Sequence, residues 1–451
     1  MKQKIFGTDG VRGVANSFPI DSETVLKLGR ASAHVLGREK GRHRVLIGKD
    51  TRISGYMLET ALCSGIVSMG VDVYLVGPLP TPGIAYLTKS MLLDAGVVIS
   101  ASHNPFEDNG IKFFGHDGFK LPDSVEAEIE TLMFSEEIHN LKADQFGIGK
   151  AQRIEDAVGR YVVYLKSCLH RNTSLEGLKV VIDCANGATY KVAPLVFSEL
   201  GAECIVIGDR PNGKNINHNC GSLHPEELIQ TVIREGAHLG VSYDGDGDRV
   251  LLCDELGRIF DGDRILLMLA DFLLEEGKLK GGGIVGTVMS NLGFEKSVMS
   301  RGLKLVRSDV GDRYVLQSMI QHGMNLGGEQ SGHIISLDHN TTGDGILSSL
   351  LAVELLLRKN KPLSSFYNLF EPYPQVIVNV PVAKKVPFDQ IKGFSDLYAD
   401  ETKRLNDRGR ILLRYSGTES KARVMVECDD DQLCNLVANN LADALRSSLS
   451  A

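Results

Sequence analysis

Short apolar runs and amphipathic stretches alternate along about the first 370 residues of the chain. Apolar runs of four or five residues between turns predict buried parallel strands, and amphipathic stretches such as residues 57–69 predict the helices that connect them. A repeat of three strands with intervening helices occurs three times along the chain. The predicted strands are 45–48, 73–76 and 96–100, then 179–183, 204–207 and 239–243, then 283–286, 303–306 and 324–327.

The pattern changes after about residue 370. Pro372 and Pro374 precede a β-branched strand at 376–382, and a second strand is predicted at 421–427. We therefore predict an α/β fold with three similar α/β domains that have mixed, largely parallel sheets, plus a smaller C-terminal α+β domain, around a central cleft. The predicted domains are 1–150, 151–255, 256–370 and 371–451.

The composition is that of an ordinary soluble protein, with 43% hydrophobic and 24% charged residues. A formal net charge of −8 argues against nucleic acid as a partner, because nucleic-acid-binding proteins usually present a basic face. The N-terminal residues lack the apolar core of a signal peptide, and the apolar stretch 265–274 is too short to span a bilayer. We therefore expect a cytoplasmic protein without a membrane partner. The eight cysteines include no CxxC pair, which favours reduced thiols.

A tight turn follows the third predicted strand and carries Ser102 and His103. A serine in such a turn is most often a helix cap or turn former, and nucleophilic chemistry needs a base beside it. The surroundings of Ser102 therefore decide its role.

The corresponding turn of the second repeat alternates three carboxylates with glycine, at Asp244, Asp246 and Asp248. Glycine allows tight folding, so the three carboxylates can converge on one hard cation, Mg²⁺ or Ca²⁺. An acidic surface turn is the alternative, but three like charges within five positions repel one another unless a cation balances them. The turn lacks the terminal glutamate of an EF-hand, which favours one Mg²⁺ per chain.

The third repeat ends in a turn that contains Glu329, Ser331 and His333. Glutamate and serine side chains hydrogen-bond sugar hydroxyls, and histidine exchanges protons near neutral pH. This turn predicts a site for a polyhydroxy substrate. Taken alone, however, a polar turn with a histidine is more common than a sugar site.

The C-terminal domain holds a glycine-containing turn flanked by arginines, which suits a phosphate dianion. Its residues are Arg414, Ser416, Gly417, Thr418 and Arg423. Further basic side chains belong to the first domain, where we expect them to face a phosphate, although a solvated surface is the usual place of Lys and Arg. They are Arg12, Lys49, Arg52 and Lys112.

Four motifs in this order resemble those of the α-D-phosphohexomutase superfamily, over nearly the whole chain. They are Ser-Ala-Ser-His-Asn-Pro at 100–105, Asp-Gly-Asp-Gly-Asp-Arg at 244–249, Gly-Glu-Gln-Ser-Gly-His at 328–333 and Arg-Tyr-Ser-Gly-Thr-Glu at 414–419. Within the superfamily, Phe-Gly-Thr-Asp-Gly-Val-Arg-Gly at 6–13 and Gly-Thr-Val-Met-Ser-Asn at 286–291 are most similar to the phosphoglucosamine mutase subfamily. Ser420 departs from the superfamily, which more often has proline at this position. The absence of proline would make that loop less rigid.

The resemblance implies a role for each motif residue. Ser102 would carry the phosphoryl group, and the implied Mg²⁺ ligands are Ser102, Asp244, Asp246 and Asp248. Lys112 and His333 would transfer protons, with Arg12 and Arg249 near the phosphoryl group. The implied substrate-binding residues are Glu329, Ser331, Arg414, Ser416, Gly417, Thr418 and Arg423.

The implied reaction interconverts glucosamine 6-phosphate and glucosamine 1-phosphate and feeds the synthesis of amino-sugar nucleotides and cell-wall precursors. A 1,6-bisphosphate would be the intermediate and the priming phosphoryl donor. The expected partner is thus a small hexosamine phosphate, and the expected assembly is a monomer or homodimer. The alternatives are a phosphoglucomutase or phosphomannomutase, a metal-dependent phosphatase, and a non-catalytic regulator that binds sugar phosphates.

Overall fold

The computed structural model describes residues 4–7, 9–37, 43–415 and 420–449. The chain divides into two compact units. The first comprises Met1–Thr287 and Ser308–Tyr367, and the second comprises Val288–Arg307 and Asn368–Ala451. The second unit therefore adds a short segment from the third predicted domain to the C-terminal part of the chain. The domain boundaries at residues 150, 255 and 370 stay predictions.

The first sheet has seven strands in the order β1-β2-β6-β5-β3-β4-β7. Strands β5, β3 and β4 are parallel neighbours, and β6 returns antiparallel to β5. Burial of every residue of β5 explains its continuous apolar sequence. The strands are β1 (Phe6–Gly7), β2 (Gly10–Val14), β3 (Arg44–Lys49), β4 (Asp72–Pro78), β5 (Ala95–Ile99), β6 (Asp108–Gly115) and β7 (Ala151–Arg153). The helices are α1 (Ser22–Leu36), α2 (Ser54–Val67), α3 (Thr81–Ser90) and α4 (Asp123–Met133).

The second sheet has five strands in the order β12-β11-β10-β8-β9. Strand β8 is parallel to β9 and β10, whereas β11 turns back antiparallel to β10. The strands are β8 (Lys179–Asp183), β9 (Glu203–Ile207), β10 (Leu239–Tyr243), β11 (Val250–Asp254) and β12 (Ile259–Phe260). The helices are α5 (Ala157–Ser167), α6 (Val192–Glu199) and α7 (Glu226–Glu235).

A third group of strands completes the first unit, in which β15 is parallel to β13 and antiparallel to β16. The Asp261 and Asp344 side chains cap the helices α8 and α11 by accepting backbone N–H groups of their first turns. The elements are α8 (Gly262–Glu275), β13 (Gly283–Thr287), α10 (Asp312–His322), β15 (Leu326–Gly328), β16 (Ile334–Ser336) and α11 (Gly345–Lys359). Strand β14 (Lys304–Ser308) ends at the division between the units.

The second unit contains an antiparallel sheet in the order β17-β19-β18 and a separate apolar core. Its strands and helices are α9 (Leu292–Ser300), β17 (Gln375–Pro381), α12 (Phe394–Leu405), β18 (Gly409–Tyr415), β19 (Lys421–Cys428) and α13 (Asp431–Leu449). Across both units, short 3₁₀ helices lie at Glu136–His139, Ala188–Tyr190, Leu363–Leu369, Phe388–Gln390 and Asn406–Arg408.

The structure confirms the predicted fold class of α/β domains with mixed sheets and a C-terminal α+β domain. Each predicted strand corresponds to an observed one, and the helix predicted at 57–69 is α2. Among the described helices, none combines the length and the apolar character that are needed to cross a bilayer.

Candidate active site

Two turns of the first unit meet at Ser102. This residue follows β5, and the aspartate turn joins β10 to β11. The Ser102 hydroxyl donates a 2.6 Å hydrogen bond to Oδ2 of Asp244. Both turns leave carboxyl ends of parallel strands, where ligands of α/β sheets collect.

The backbone of Ser102 has a left-handed conformation, with φ of 53°. Such a conformation costs a non-glycine residue on the order of 1–3 kcal/mol, so the surrounding contacts must hold it. The Ser102 N–H donates to Oγ of Ser100 at 2.9 Å, and the Ser100 hydroxyl donates to Oδ2 of Asp50 at 2.6 Å. These bonds fix the turn and bury its serine.

The imidazole of His103 lies beside the serine, with Nδ1 3.3 Å from the Ser102 Oγ. Burial, reinforced by the positive charge of Arg249, lowers the pKa of His103 to about 4. The ring is therefore neutral at neutral pH. Its contact with Ser102 is longer than the bond from Ser102 to Asp244.

The three aspartates of the turn are buried together. One carboxylate oxygen from each of Asp244, Asp246 and Asp248 lies within 4.8 Å of the others. Oδ1 of Asp246 and Oδ1 of Asp248 are buried without a hydrogen-bond partner. Buried unsatisfied carboxylate oxygens are costly unless a cation binds them. The donor set thus fits a divalent metal ion, and oxygen ligands favour a hard one.

The charges of the three carboxylates act on one another. Burial, followed by the negative charges of Asp248 and Asp246, raises the pKa of Asp244 well above its ordinary value. Burial acts the same way on Asp248, but Lys112 and then His333 outweigh it and hold the pKa of Asp248 below its usual range. A bound cation would relieve the repulsion within this cluster.

The two glycines between the aspartates are required by the geometry. A Cβ on Gly245 would lie 2.6 Å from the carbonyl oxygen of Ser102. Gly247 has φ of 71°, which an L side chain rarely adopts. The alternation of aspartate and glycine therefore lets the acidic turn approach the serine turn closely.

Lys112 reaches the aspartates because the β5–β6 hairpin returns it opposite Val98. Its Nζ is 3.1 Å from Oδ2 of Asp246 and 3.2 Å from Oδ2 of Asp9. Although burial opposes protonation, these carboxylates, with Asp246 first, raise the pKa of Lys112 above its ordinary value. Lys112 is therefore a buried ammonium group at neutral pH.

Asp9 is a member of this cluster that sequence reasoning missed. Its carboxylate accepts hydrogen bonds from Arg12 and Lys120, and Lys120 also contacts Asp312. Against burial, Lys112 and then Lys120 and Arg12 hold the pKa of Asp9 well below its usual range. The available signal was a carboxylate three positions before Arg12.

Arg12 and Arg249 each bring an incompletely satisfied guanidinium to the site. The Nε atoms of both residues are buried without a hydrogen-bond partner. The Arg249 backbone N–H donates to Oδ1 of Asp244 at 3.1 Å, which ties the arginine to the acidic turn. Buried guanidinium N–H groups in need of acceptors are suited to an anion.

The turn with His333 lies against the acidic turn, since Arg249 and His333 form an antiparallel backbone bridge. His333 Nδ1 is 3.6 Å from Oδ2 of Asp248. The Gly343 N–H donates to Nε2 at 3.1 Å, which assigns the ring proton to Nδ1. The imidazole is thus oriented with its N–H towards the carboxylate cluster.

Glu329 and Ser331 form one hydrogen-bonded pair in the same turn. The Ser331 hydroxyl donates to Oε2 of Glu329 at 3.1 Å, and the Gly311 N–H donates to Oε1 at 2.8 Å. Ser331 is exposed, whereas Glu329 is buried. The pair offers polar groups that can exchange partners with the hydroxyls of a ligand.

Arg52 and Lys49 differ from the expectation that they face a phosphate. Arg52 is fully buried, and its guanidinium donates to carbonyl oxygens of the Ser102 loop and to Asp50. The Lys49 ammonium donates to Glu59 at 2.6 Å. Both expectations were wrong because each cation already has acceptors of its own inside the fold.

In the second unit, two arginines face one another across neighbouring strands. Arg414 on β18 is the register partner of Arg423 on β19. Both line a cavity of about 370 Å³, together with Asn379 and Lys421. Burial and then the charge of Arg423 lower the pKa of Arg414. Two opposed guanidiniums repel one another, and a bound dianion would balance them. Ser416, Gly417 and Thr418 lie outside the described residues.

Models of one protein family match most of the chain. They are described as phosphoglucomutase/phosphomannomutase alpha/beta/alpha domain I at residues 3–139, domain II at 159–257, domain III at 261–373, and the C-terminal domain at 377–444. Two curated relatives are full-length matches. The phosphoglucosamine mutase of Citrifermentans bemidjiense is 55% identical, over 99% of this chain and 98% of the relative. That of Myxococcus xanthus is 53% identical, with the same coverage.

Solved structures share the fold at lower sequence identity. A phosphoglucomutase/phosphomannomutase family protein from Burkholderia thailandensis superimposes with a TM-score of 0.82 and 24% identity, over 98% of this chain and 97% of that one. The N-acetylphosphoglucosamine mutase of Aspergillus fumigatus, in complex with GlcNAc-6P and magnesium, gives a TM-score of 0.68 and 19% identity, over 99% and 96%.

Proposed function

The chain belongs to the phosphoglucosamine mutase family of the α-D-phosphohexomutase superfamily, and we propose that it interconverts glucosamine 6-phosphate and glucosamine 1-phosphate through a phosphoryl group on Ser102. One observation carries the proposal. The buried hydroxyl of Ser102 is hydrogen-bonded to Asp244 within a cluster of three carboxylates that fits a divalent cation. A hydroxyl and a metal site in this arrangement suit phosphoryl transfer.

The metal ligands in the proposal are Asp244, Asp246, Asp248 and an oxygen on Ser102. The unpartnered oxygens of Asp246 and Asp248 support this assignment. The proposed ion is Mg²⁺, one per chain, and when bound it supplies positive charge that offsets the negative charge of the phosphoryl oxygens.

Arg12 and Arg249 are proposed to bind the oxygens of the transferring phosphoryl group. Their buried Nε–H groups lack acceptors, so an anion can bind without breaking an internal hydrogen bond at those atoms. Phosphoryl transfer depends mainly on positioning and electrostatic stabilisation, which such fixed donors provide.

Lys112 and His333 are proposed to handle the protons. Lys112 stays protonated between Asp246 and Asp9, so it is suited to donate a proton or hydrogen bond as charge develops on an oxygen. His333 carries its proton on Nδ1, towards Asp248. These contacts keep both groups in fixed orientations.

Glu329 and Ser331 are proposed to bind hydroxyls of the sugar, and the phosphate that is not transferred is assigned to the second unit. There Arg414 and Arg423 supply two facing guanidiniums. Ser416, Gly417 and Thr418 are proposed to complete that phosphate site with hydroxyl and backbone donors.

The proposed reaction has two balanced transfers. In the first, the Oγ–P bond of phosphorylated Ser102 breaks while the free hydroxyl of the substrate forms a new O–P bond, giving the 1,6-bisphosphate; the hydroxyl releases its proton and the Ser102 Oγ takes one up. After the sugar turns around, the bond from the other phosphoryl group to its sugar oxygen breaks and the Ser102 Oγ forms a new O–P bond; the Ser102 hydroxyl releases its proton and the freed sugar oxygen takes one up. A hexosamine 1,6-bisphosphate would supply the first phosphoryl group to unmodified enzyme.

The proposal is tested by measuring isomerisation of glucosamine 6-phosphate with Mg²⁺ and trace 1,6-bisphosphate. Comparing kcat/KM for the amino, gluco and manno substrates separates it from a phosphoglucomutase or phosphomannomutase. Net release of phosphate would instead indicate a phosphatase, and binding without turnover a regulator. We expect a cytoplasmic monomer or homodimer.

A further inference from the structure

Asn217 links the second sheet to the backbone of the serine loop. It lies between β9 and α7, and its backbone N–H donates to the Ala185 carbonyl at 2.9 Å. Its side-chain Nδ2 donates to the carbonyl oxygen of Ser102 at 2.9 Å and to that of Asn104 at 3.1 Å. One amide thus holds two carbonyls of a loop that belongs to the first sheet.

The same two carbonyls are also bound by Arg52. Its Nη2 donates to the Ser102 oxygen at 2.9 Å and to the Asn104 oxygen at 2.8 Å. Each carbonyl therefore receives one bond from the side of the first sheet and one from the side of the second. A carbonyl oxygen has two lone pairs, so both bonds can form together.

This arrangement restrains the backbone that carries the Ser102 hydroxyl. Ser102 has left-handed φ, and its peptide carbonyl is fixed by Asn217 and Arg52. Rotation of that peptide would turn Cα and Oγ away from Asp244. Small misplacements of reacting groups cost up to about a hundredfold in rate, because transfer requires aligned atoms.

We propose that Asn217 is a positioning residue for phosphoryl transfer, a role that rests on the proposed function of Ser102. If the Asn217 amide is removed, Arg52 still satisfies both carbonyls, so the loop keeps its fold. What is lost is the restraint that the second sheet places on these two carbonyls. Asn217 therefore acts on turnover more than on stability or on substrate binding.

The chain offers a matched control in Asn219. Asn217 and Asn219 share one loop and one backbone conformation, with φ of 56° and 51°. The side chain of Asn219 is exposed and makes no hydrogen bond within the described part of the chain. Glycine is the right replacement at both positions because it adopts positive φ without strain.

The experiment compares Asn217→Gly, Asn219→Gly and the unmodified chain in kcat, KM and thermal unfolding midpoint. We expect Asn217→Gly to lower kcat by about tenfold to a hundredfold, with KM for glucosamine 6-phosphate within about twofold and a midpoint equal to that of Asn219→Gly. Asn217→Asp should lose a similar factor in kcat, since a carboxylate repels both carbonyls.

Equal kcat values for Asn217→Gly and Asn219→Gly would overturn the positioning role. An increase in the KM of Asn217→Gly with an unchanged kcat would overturn it as well. The proposed function has a separate readout, which is the labelling of Ser102 in the unmodified chain by a hexosamine 1,6-bisphosphate. If Ser102 takes no phosphoryl group there, the proposed function fails and this inference fails with it. If Ser102 is labelled but Asn217→Gly keeps full kcat, only this inference fails.

Discussion

The Ser102 hydroxyl and the Asp244 carboxylate are joined by a 2.6 Å hydrogen bond across 142 positions of sequence. Asp244 thereby contacts the proposed phosphoryl carrier while one of its oxygens belongs to the three-carboxylate cluster. The same contact explains why the acidic turn needs Gly245, which leaves space for the Ser102 carbonyl. The proposed phosphoryl carrier and one of the proposed metal ligands are thus in direct contact.

Isomerisation should depend on a divalent metal ion that the aspartate cluster binds. We predict that a chelator abolishes isomerisation and that Mg²⁺ restores it. Asp248→Asn should raise the Mg²⁺ concentration for half-maximal rate by about tenfold or more, since even groups outside the coordination shell contribute 10–100-fold to metal affinity. The measurement is a Mg²⁺ titration of initial rates.

Asp209→Asn provides the control for the metal titration, because it removes the same charge from a less buried loop position. Its Mg²⁺ dependence should match that of the unmodified chain. A chelated enzyme with full activity, or identical titrations for Asp248→Asn and Asp209→Asn, would contradict the metal assignment.

The arginine pair of the second unit should matter for substrate binding. Arg414→Gln is predicted to raise KM for glucosamine 6-phosphate by about tenfold to a hundredfold, because a hydrogen bond to a charged group contributes about 1.5–3 kcal/mol. It should not lower the thermal unfolding midpoint, because it removes repulsion with Arg423 across the strand pair. Lys403→Gln, an exposed charge on α12, is the control for net charge. An unchanged KM in Arg414→Gln would refute the phosphate role.

Asp183 should make stability depend on pH. Its carboxylate accepts hydrogen bonds from the backbone N–H groups of Ala185 and Gly221, yet burial raises its pKa from 3.8 to about 6. Between these values the folded chain binds more protons than the unfolded one, so this group's contribution is complete below about pH 4 and is lost as pH rises through 6.

The stability advantage of the unmodified chain over Asp183→Asn should therefore shrink by up to about 3 kcal/mol from pH 4 to pH 7. Urea unfolding of both proteins across this range, followed by circular dichroism, measures the difference. An advantage that stays constant or grows with pH would show that the folded-state pKa is not raised.

Much of the site was predictable because it follows strand ends. Buried apolar strands such as β5 and β10 are recognisable from their residues, and parallel strands bring the turns that follow them to one edge. That rule placed Ser102 at the carboxyl edge of the first sheet and the aspartates at the carboxyl edge of the second, whereas their sharing one site was implied by the resemblance to the superfamily. Strand β6 pairs antiparallel with β5, which explains why Lys112, ten positions after Ser102, returns to the same site.

Side-chain directions were not predictable from local sequence. Arg52 was among the basic residues expected to face a phosphate, yet its guanidinium is buried against loop carbonyls. Asn217 appears in an ordinary polar loop, and its contact with Ser102 exists only because the two sheets meet. Likewise, nothing near residues 288–307 indicates that they pack with the C-terminal part of the chain. Such contacts depend on tertiary packing, which no sequence period encodes.

Locating the phosphoryl group on the protein tests the role of Ser102 most directly. The chain is incubated with Mg²⁺ and ³²P-labelled glucosamine 1,6-bisphosphate, digested and mapped by mass spectrometry. If Ser102 carries the phosphoryl group, the label will be found on Ser102 and unlabelled glucosamine 6-phosphate will remove it, and Ser102→Ala will show neither label nor isomerisation. Stable label on another residue, or full isomerase activity in Ser102→Ala, would contradict this role.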